Sequence, residues 1–305
     1  MAHQILILAN EHQYKGKALV GLTGIRVQQR LSQPTLCELY FRAPPGPLST
    51  AKQLEVGTRI EVRLQAFEQP LFLGDVTAIE YEYGPENVQQ IYVRGYDSLH
   101  RLRKRQSIRI LEKKTLAALV REVAQEIGVE AVVPQEAVGW KRIYQHQEDD
   151  LTLLANLAAQ YGYYLVLRDQ ALHLITLEGM GKAFPLILGQ ELLQVKIEEN
   201  QNDAVDEITT TGWDTTNLQI HTGAVKNGRS GRRTKVDLSN KNRRNKRSVF
   251  LVNENTPTAE HAQALAQADL DYRTANEVTL EGQANGHTAY QPGTRIQVSG
   301  VDPRY

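Results

Sequence analysis

The sequence predicts an α+β chain dominated by antiparallel β-structure, organised as two barrel-like units with helical and hairpin insertions between them. Three observations lead there. Short runs that alternate apolar and polar residues recur between turn-forming clusters, two segments carry helical spacing instead, and one strand opening is repeated near the far end of the chain. At 305 residues the chain is about twice a usual ~150-residue domain, so more than one packed unit is expected. The boundaries read as residues 1–110 for a first barrel-like unit, 111–190 for a helix and hairpin region, and 191–305 for a second barrel-like unit.

The first unit opens with strand-like Ala18 to Gln28 and Thr35 to Phe41, followed by a Pro44-Pro45-Gly46-Pro47 loop that no strand crosses. Thr58 to Leu64 places Ile60, Val62 and Leu64 on one face and Arg59, Glu61 and Arg63 on the other, the period of a half-buried strand. Leu71 to Tyr83 and Gln90 to Tyr96 continue the pattern around a Gly84-Pro85-Glu86-Asn87 turn.

Composition then changes. Leu116, Leu119, Val120, Val123 and Ile127 recur at helical spacing within Thr115 to Ile127, and Gly128 stands where a C-cap glycine would. A second helix is expected from about Asp150 to Tyr161, with Glu148 to Asp150 at its positive end. A hairpin follows, Tyr163 to Arg168 and Leu172 to Leu177. Strands return at Val195 to Glu198 and Glu207 to Trp213. Beyond them Lys226 to Arg247 is polar and basic, and reads as a long, mobile loop. After a short strand at Val249 to Val252, Thr256 and Pro257 look like the N-cap and first residue of an Ala-rich helix over 257–273. Glu277 to Gly282 and Thr294 to Ser299 are the last strands.

The segment Gly57-Thr58-Arg59-Ile60-Glu61-Val62 recurs as Gly293-Thr294-Arg295-Ile296-Gln297-Val298 with one change. Upstream, Ile25-Arg26-Val27 leads to Leu36 to Tyr40 as Val195-Lys196-Ile197 leads to Val205 to Thr209. Either this opening is a common turn-then-strand sequence, or one chain carries two similar β-units. In the second case three copies would present six similar faces around one axis.

Hydrophobic residues make up 41% and charged residues 23% with zero formal net charge, the composition of a globular chain with no global pull toward nucleic acid or anionic membrane. Cys37 stands alone, which excludes an intramolecular disulfide and Cys-rich zinc sites and fits a reducing cytoplasm. The apolar run Ile5 to Ala9 is too short for a signal peptide, and no segment approaches the ~20 apolar residues of a membrane span.

A search for chemistry returns little. There is no H-E-x-x-H and no G-x-S-x-G, and Gly179-Met180-Gly181-Lys182 lacks the upstream glycine and following hydroxyl of a P-loop, so it reads as a turn. Cys37 reads as a small buried hydrophobe. His146, Glu148, Asp149 and Asp150 are close enough to suggest a metal, yet acids in a first helical turn follow from the dipole alone. Trp140 and Trp213, flanked by strand patterns, read as core. No catalytic, cofactor-binding or metal-ligating residue is nominated. The candidate interaction loop comprises Arg229, Arg232, Arg233, Lys235, Lys241, Arg243, Arg244, Lys246 and Arg247 against a single Asp237; without interleaved aromatics it reads first as a solvated loop.

Leu71-Phe72-Leu73-Gly74-Asp75-Val76, then Tyr92-Val93-Arg94-Gly95-Tyr96-Asp97-Ser98-Leu99-His100-Arg101-Leu102, closely match an F-x-G-x-V and G-Y-D-x-L-H-R-L pattern. Gln147-Glu148-Asp149-Asp150-Leu151 with Leu154, Leu157 and Ala158, and further on Gly212-Trp213-Asp214, Thr256-Pro257-Thr258 and Gly293-Thr294-Arg295-Ile296, fall in the same order. In these motifs the chain resembles the VgrG-like hub proteins of type VI secretion, phage-tail-like injection particles and contractile-tailed phages, where relatives are called late control protein D. The resemblance implies a homotrimeric, non-enzymatic hub of two barrel-like β-domains, a phage tail-hub type of fold. Its pseudo-sixfold ring would adapt a hexameric inner tube to a trimeric spike tip or spike domain beside baseplate proteins. It would assemble in the cytoplasm and then travel as part of a phage-tail-like particle, with no cofactor and no nucleic acid expected as partner. Larger relatives continue into an OB-fold and a β-helical needle; here the second barrel is expected to lack its last strands. Two rival classes are a nucleic-acid-binding module through the basic loop and a cell-wall hydrolase component.

Overall fold

A computed structural model of the chain describes residues 5–10, 12–14, 19, 21–42, 54–65, 67–85, 88–106, 108–134, 139–202, 204–214, 217–232, 234, 247–253 and 256–305. The Pro44-to-Pro47 loop, Ala18 and the Glu86-Asn87 tip of the predicted turn lie outside them. The fold is α+β and mainly antiparallel, and divides into two compact units, Met1–Gln106 with Asp149–Leu151, and Ser107–Glu148 with Thr152–Tyr305.

In the first unit β1 (Ile5–Ala9), β2 (His12–Tyr14), β3 (Leu22–Gln28), β4 (Leu36–Arg42), β5 (Arg59–Leu64), β6 (Phe72–Tyr83) and β7 (Gln89–Tyr96) form one curled antiparallel sheet in the order β2-β1-β5-β6-β7-β4-β3. The alternation seen in the sequence dictates its two faces. Ile7, Cys37, Leu39, Ile60, Val62, Phe72, Val76, Ile91 and Val93 point to one side and make the core. The other side carries charge: Arg94 bridges Glu38 at 3.3 Å and Glu80 at 2.9 Å, and Arg26 also reaches Glu38. Exposed pairs of this kind contribute at most about 1 kcal/mol each, so the apolar face carries the stability. Burial pushes the Cys37 thiol up to about 12, which leaves it a packing group at neutral pH. A 3-10 turn, Ser98–Lys104, closes the unit.

In the second unit β8 (Arg109–Thr115) runs into α1 (Leu116–Ile127). Thr115, read from the sequence as the first residue of the helix, is its cap, with Oγ1 accepting from Ala118 N at 3.1 Å, and Gly128 ends the helix in the left-handed region as the sequence predicts. Then come β9 (Glu130–Val132), β10 (Gly139–Gln145), α2 (Asp150–Gln160), β11 (Tyr164–Arg168), β12 (Ala171–Ile175), β13 (Met180–Ile187), β14 (Leu192–Glu199), β15 (Glu207–Asp214), β16 (Gln219–Val225), β17 (Ser248–Asn253), α3 (Ala259–Glu277), β18 (Val278–Ala284) and β19 (Thr294–Ser299). They assemble as small sheets: β10-β8, β11-β12-β9, β13-β19, β14-β18 and β16-β15-β17. Of these pairings β12 with β9, β13 with β19 and β15 with β17 are parallel.

Three local expectations change. The cap of α3 is Thr258, not Thr256: residue 258 is still extended, and its Oγ1 accepts from His261 N at 3.2 Å, so Pro257 precedes the helix. The helix runs on to Glu277, because nothing after Arg273 breaks it. Met180 opens a strand rather than sitting within a turn. Gly57 and Gly293 both adopt positive φ, +93° and +82°, and each precedes a strand, so the repeated opening has one local conformation. Upstream the pairings diverge: β3 and β4 are hydrogen-bonded neighbours, whereas β14 pairs β18 and β15 lies in another sheet.

Candidate assembly interface

The most specific motif of the sequence is a structural joint. Gly74 on β6 lies opposite Ile60 on β5, and a Cβ there would sit 2.2 Å from Tyr96 O and 2.6 Å from the Phe72 ring. Gly95 is nearly as tight, 3.0 Å from Asp75 O. Asp75 receives Arg101 Nη2 at 2.7 Å. Asp97, itself buried, accepts from Thr35 N at 2.8 Å and Leu99 N at 3.0 Å and so caps the 3-10 turn, while His100 Nδ1 donates to Asp97 O at 2.6 Å. The F-x-G-x-V and G-Y-D-x-L-H-R-L residues thus fasten β4, β6, β7 and the turn into one corner.

Burial pushes the Asp97 carboxyl up to about 6 against the pull of those two N–H donors. A folded pKa above the unfolded value of 3.8 gives stability that is fully present below pH 3.8 and lost as pH rises through about 6. Asp97→Asn is therefore expected to leave stability near pH 4 unchanged and to raise it at pH 8, by up to about 3 kcal/mol. Urea unfolding at the two pH values checks this; an Asn variant less stable at pH 8 would show the two hydrogen bonds outweighing burial.

Of the nine basic residues singled out in the sequence, Arg229, Arg232 and Arg247 are described; Arg233, Lys235, Lys241, Arg243, Arg244 and Lys246 lie outside the described residues. Each of the three has partners within the chain. Arg229 N and Nε both donate to the buried Asp271 carboxylate, Nε at 3.0 Å, and Gln267 completes that site at 2.7 Å. Arg232 reaches Glu277 Oε2 at 2.8 Å and Thr274 O at 3.0 Å. Arg247 N donates to Asp206 at 2.9 Å and its Nη1 to Gln201 O at 2.9 Å. Residues 227–232 are therefore strapped along α3 at Asp271, Thr274 and Glu277, which corrects the expectation of a loop free over its whole length. The reason is the acid spacing on α3, invisible while its partners were unknown.

Of the remaining candidates, Trp140 and the 179–182 segment have partners within the chain. Among the described residues no group of three or more His, Cys, Asp or Glu could hold a metal. The N–H groups of Gly179 and Met180, which a phosphate would need, donate to Thr176 O at 3.1 Å and Gly293 O at 2.8 Å. Trp140 stacks edge-on against Tyr161 at 5.4 Å between ring centroids, and Tyr161 Oη hydrogen-bonds His261 Nε2 from the first turn of α3. Burial lowers the His261 pKa, so this group's contribution is present above its ordinary 6.5 and lost as pH falls through the lowered folded value. Thermal scans should show the wild type losing stability on acidification below pH 6.5 and His261→Gln, which keeps a hydrogen-bonding group there, losing less. Equal acid sensitivity in both would remove His261 from the account.

Trp213 corrects its expected place in the core. On β15, Ile208, Thr210, Gly212 and Asp214 face α3, where Ile208 packs with Val225, Ala266 and Leu270. The alternate residues face outward. Register sets Phe250 and Val252 of β17 beside Thr209 and Thr211, and Ile220 of β16 beside Trp213. The exposures are 72% for Phe250, 84% for Val252, 66% for Ile220 and 40% for Trp213. A contiguous apolar sheet face of this kind marks an interaction surface rather than a solvated one.

A one-sided curled sheet, motif residues spent on joints, and an open apolar sheet face define a structural assembly protein. The chain belongs to the phage tail baseplate hub (GPD) family, whose model matches residues 28–304. Its fold is similar to the 43 kDa tail protein of prophage MuSo2 from Shewanella oneidensis, at 20% identity and TM-score 0.68 over 99% of this chain and 91% of that one. It is also similar to the tail protein from Neisseria meningitidis MC58, at 14% identity and TM-score 0.70 over 99% and 89%. The prophage tail protein gp18 from Listeria monocytogenes EGD-e matches at 12% identity and TM-score 0.54 over 86% and 76%. No curated protein sequence matches the chain.

Proposed function

We propose that this baseplate hub protein acts as a homotrimer that adapts a hexameric inner tube to a trimeric spike, and that it carries no catalytic activity. Two barrel-like β-units per copy, over 1–110 and 191–305 with the 111–190 insertion between them, would give three copies six similar faces toward the tube. The observation that carries this is the match of one tail-hub family model to residues 28–304, nearly the whole chain. The conformation shared by the two Gly-Thr-Arg-Ile openings supports two related units, while the divergent pairings upstream of them limit how far the repeat extends. The basic segment, six of whose cations stand between the strapped Arg232 and Arg247, is read as a contact for an acidic baseplate or spike protein. Assembly takes place in the cytoplasm and the hub then resides in the tail-like particle.

Co-expression with the tube and spike proteins of the same tail tests this. A complex that contains both, with two tube subunits for each copy of the hub chain, is the expected result. Failure of the chain to co-purify with either protein would overturn the adaptor role.

A further inference from the structure

Two apolar surfaces on this chain have no partner among the described residues, and they belong to different sheets; each ends in one ion pair, Glu207 with Lys226 on one and Glu112 with Arg142 on the other. One is the outer face of β16-β15-β17, built from Trp213, Ile220, Phe250 and Val252 with Thr209, Thr211 and Thr222 between them. Its opposite face is already covered by α3 of the same chain. The other is the outer face of the β8-β10 ribbon. There Ile110 and Tyr144 are cross-strand neighbours, Ile108 stands next to them, and all three are exposed, while Ile143 and Gln145 turn inward. The only charges that continue this second face, Glu112 and Arg142, pair with each other at 3.1 Å.

We propose that the β15–β17 face of one copy seats against the β8–β10 face of a second copy, so that identical chains join head to tail through two unlike surfaces. This rests on the hub reading above and names the surfaces that would build the ring. Three physical points select a second copy as the occupant. First, at these exposures the four apolar side chains of the sheet face present on the order of 400 Å² of apolar surface, about half of the ~800 Å² that each partner contributes to a standard interface. That suits the dry centre of an interface between folded subunits and exceeds what a short peptide needs. Second, the charges on each face are held in that one ion pair, so neither face presents a net charge that would draw an oppositely charged partner. Third, the same chain carries a second apolar face, and each junction between copies covers one of each kind. A heterologous contact of this sort closes into a ring when its rotation divides the circle evenly, and extends as a filament when it does not.

Cysteine pairing tests the proposal in the full chain, since the one native thiol, Cys37, is buried in the core of the first unit. Val252→Cys and Ile110→Cys each replace an exposed strand residue and are purified separately, then mixed and oxidised. The expected result is a disulfide-linked dimer in the mixture, little in either variant alone, and in the double variant a closed covalent trimer. Phe250→Thr is expected to weaken self-association at least tenfold in an equilibrium sedimentation series. If the native chain is multimeric but Val252→Cys and Ile110→Cys do not cross-link, or Val252→Cys links only to itself, the surface assignment is overturned and the hub reading stands. If the native chain stays monomeric at every concentration and no variant cross-links, the surface assignment is overturned, and the hub reading falls with it only when the chain also stays monomeric beside the spike and tube proteins.

Discussion

Gly74→Ala is expected to be the most damaging single substitution in the first unit. The added methyl would meet a backbone oxygen at 2.2 Å and the Phe72 ring at 2.6 Å, and the oxygen belongs to Tyr96, on the strand that carries the motif into Asp97. Backbone cannot swing aside as a side-chain tip can, so β6 and β7 must separate or Phe72 must leave its place in the core. Overpacking of this severity costs about 3 kcal/mol or more. Gly286→Ala is the matched control, because a methyl there meets nothing within 4 Å and its φ is ordinary, so its effect should stay within ~0.5 kcal/mol. Chemical denaturation of the two variants checks the contrast; near-equal midpoints would show that the joint tolerates opening.

The second large effect is expected at the strap on α3. Arg229→Met removes the one cation bonded to Asp271 among the described residues, a carboxylate that is 2% exposed, and leaves it there with the Gln267 amide and one backbone N–H. Stranding a buried charge in this way costs about 3 kcal/mol. The reverse change, Asp271→Asn, should cost less, about 1 to 2 kcal/mol, because the Arg229 side chain is 39% exposed and can turn to water. The asymmetry is the signature of a partly buried pair. Amide exchange should also rise over residues 227–232 in both variants, since Gln267 donates to Asn227 O at 2.9 Å as part of the same contact. Equal costs, or unchanged exchange, would mean that the strap is held elsewhere.

What the sequence made legible follows from how many faces of an element are buried. β4, β5 and β7 each bury one face against one core, so Ile60 and Val62 against Arg59 and Glu61 could be read directly. The first helix carried its stripe, its Thr115 cap and its Gly128 stop in local residues. The β8-β10 ribbon and β16 were not read as strands, because their large apolar residues, Ile110, Tyr144 and Ile220, point outward and invert the expected pattern. β13 was hidden by Pro185 and Gly181, which are tolerated because among the described residues its one paired neighbour is the parallel β19.

The candidate surfaces show the same division. Gly74, Gly95, Asp97 and His100 were found as a motif, yet their work as spacer, cap and donor needs the partners on β4 and β6. The basic run was obvious from composition. Its attachment through Asp271 and Glu277 was not, since those acids lie about 40 residues away in a helix that looked unremarkable for charge.

The central claim is that copies of this chain assemble around an axis, and the mass of the purified protein in solution tests it most directly. Light scattering after size exclusion, repeated across dilution and with the spike and tube proteins added, should return three chains, either for the protein alone or once the spike is present. A species that keeps the mass of a single 34.3 kDa chain at every concentration and ignores both partners would contradict a trimeric hub.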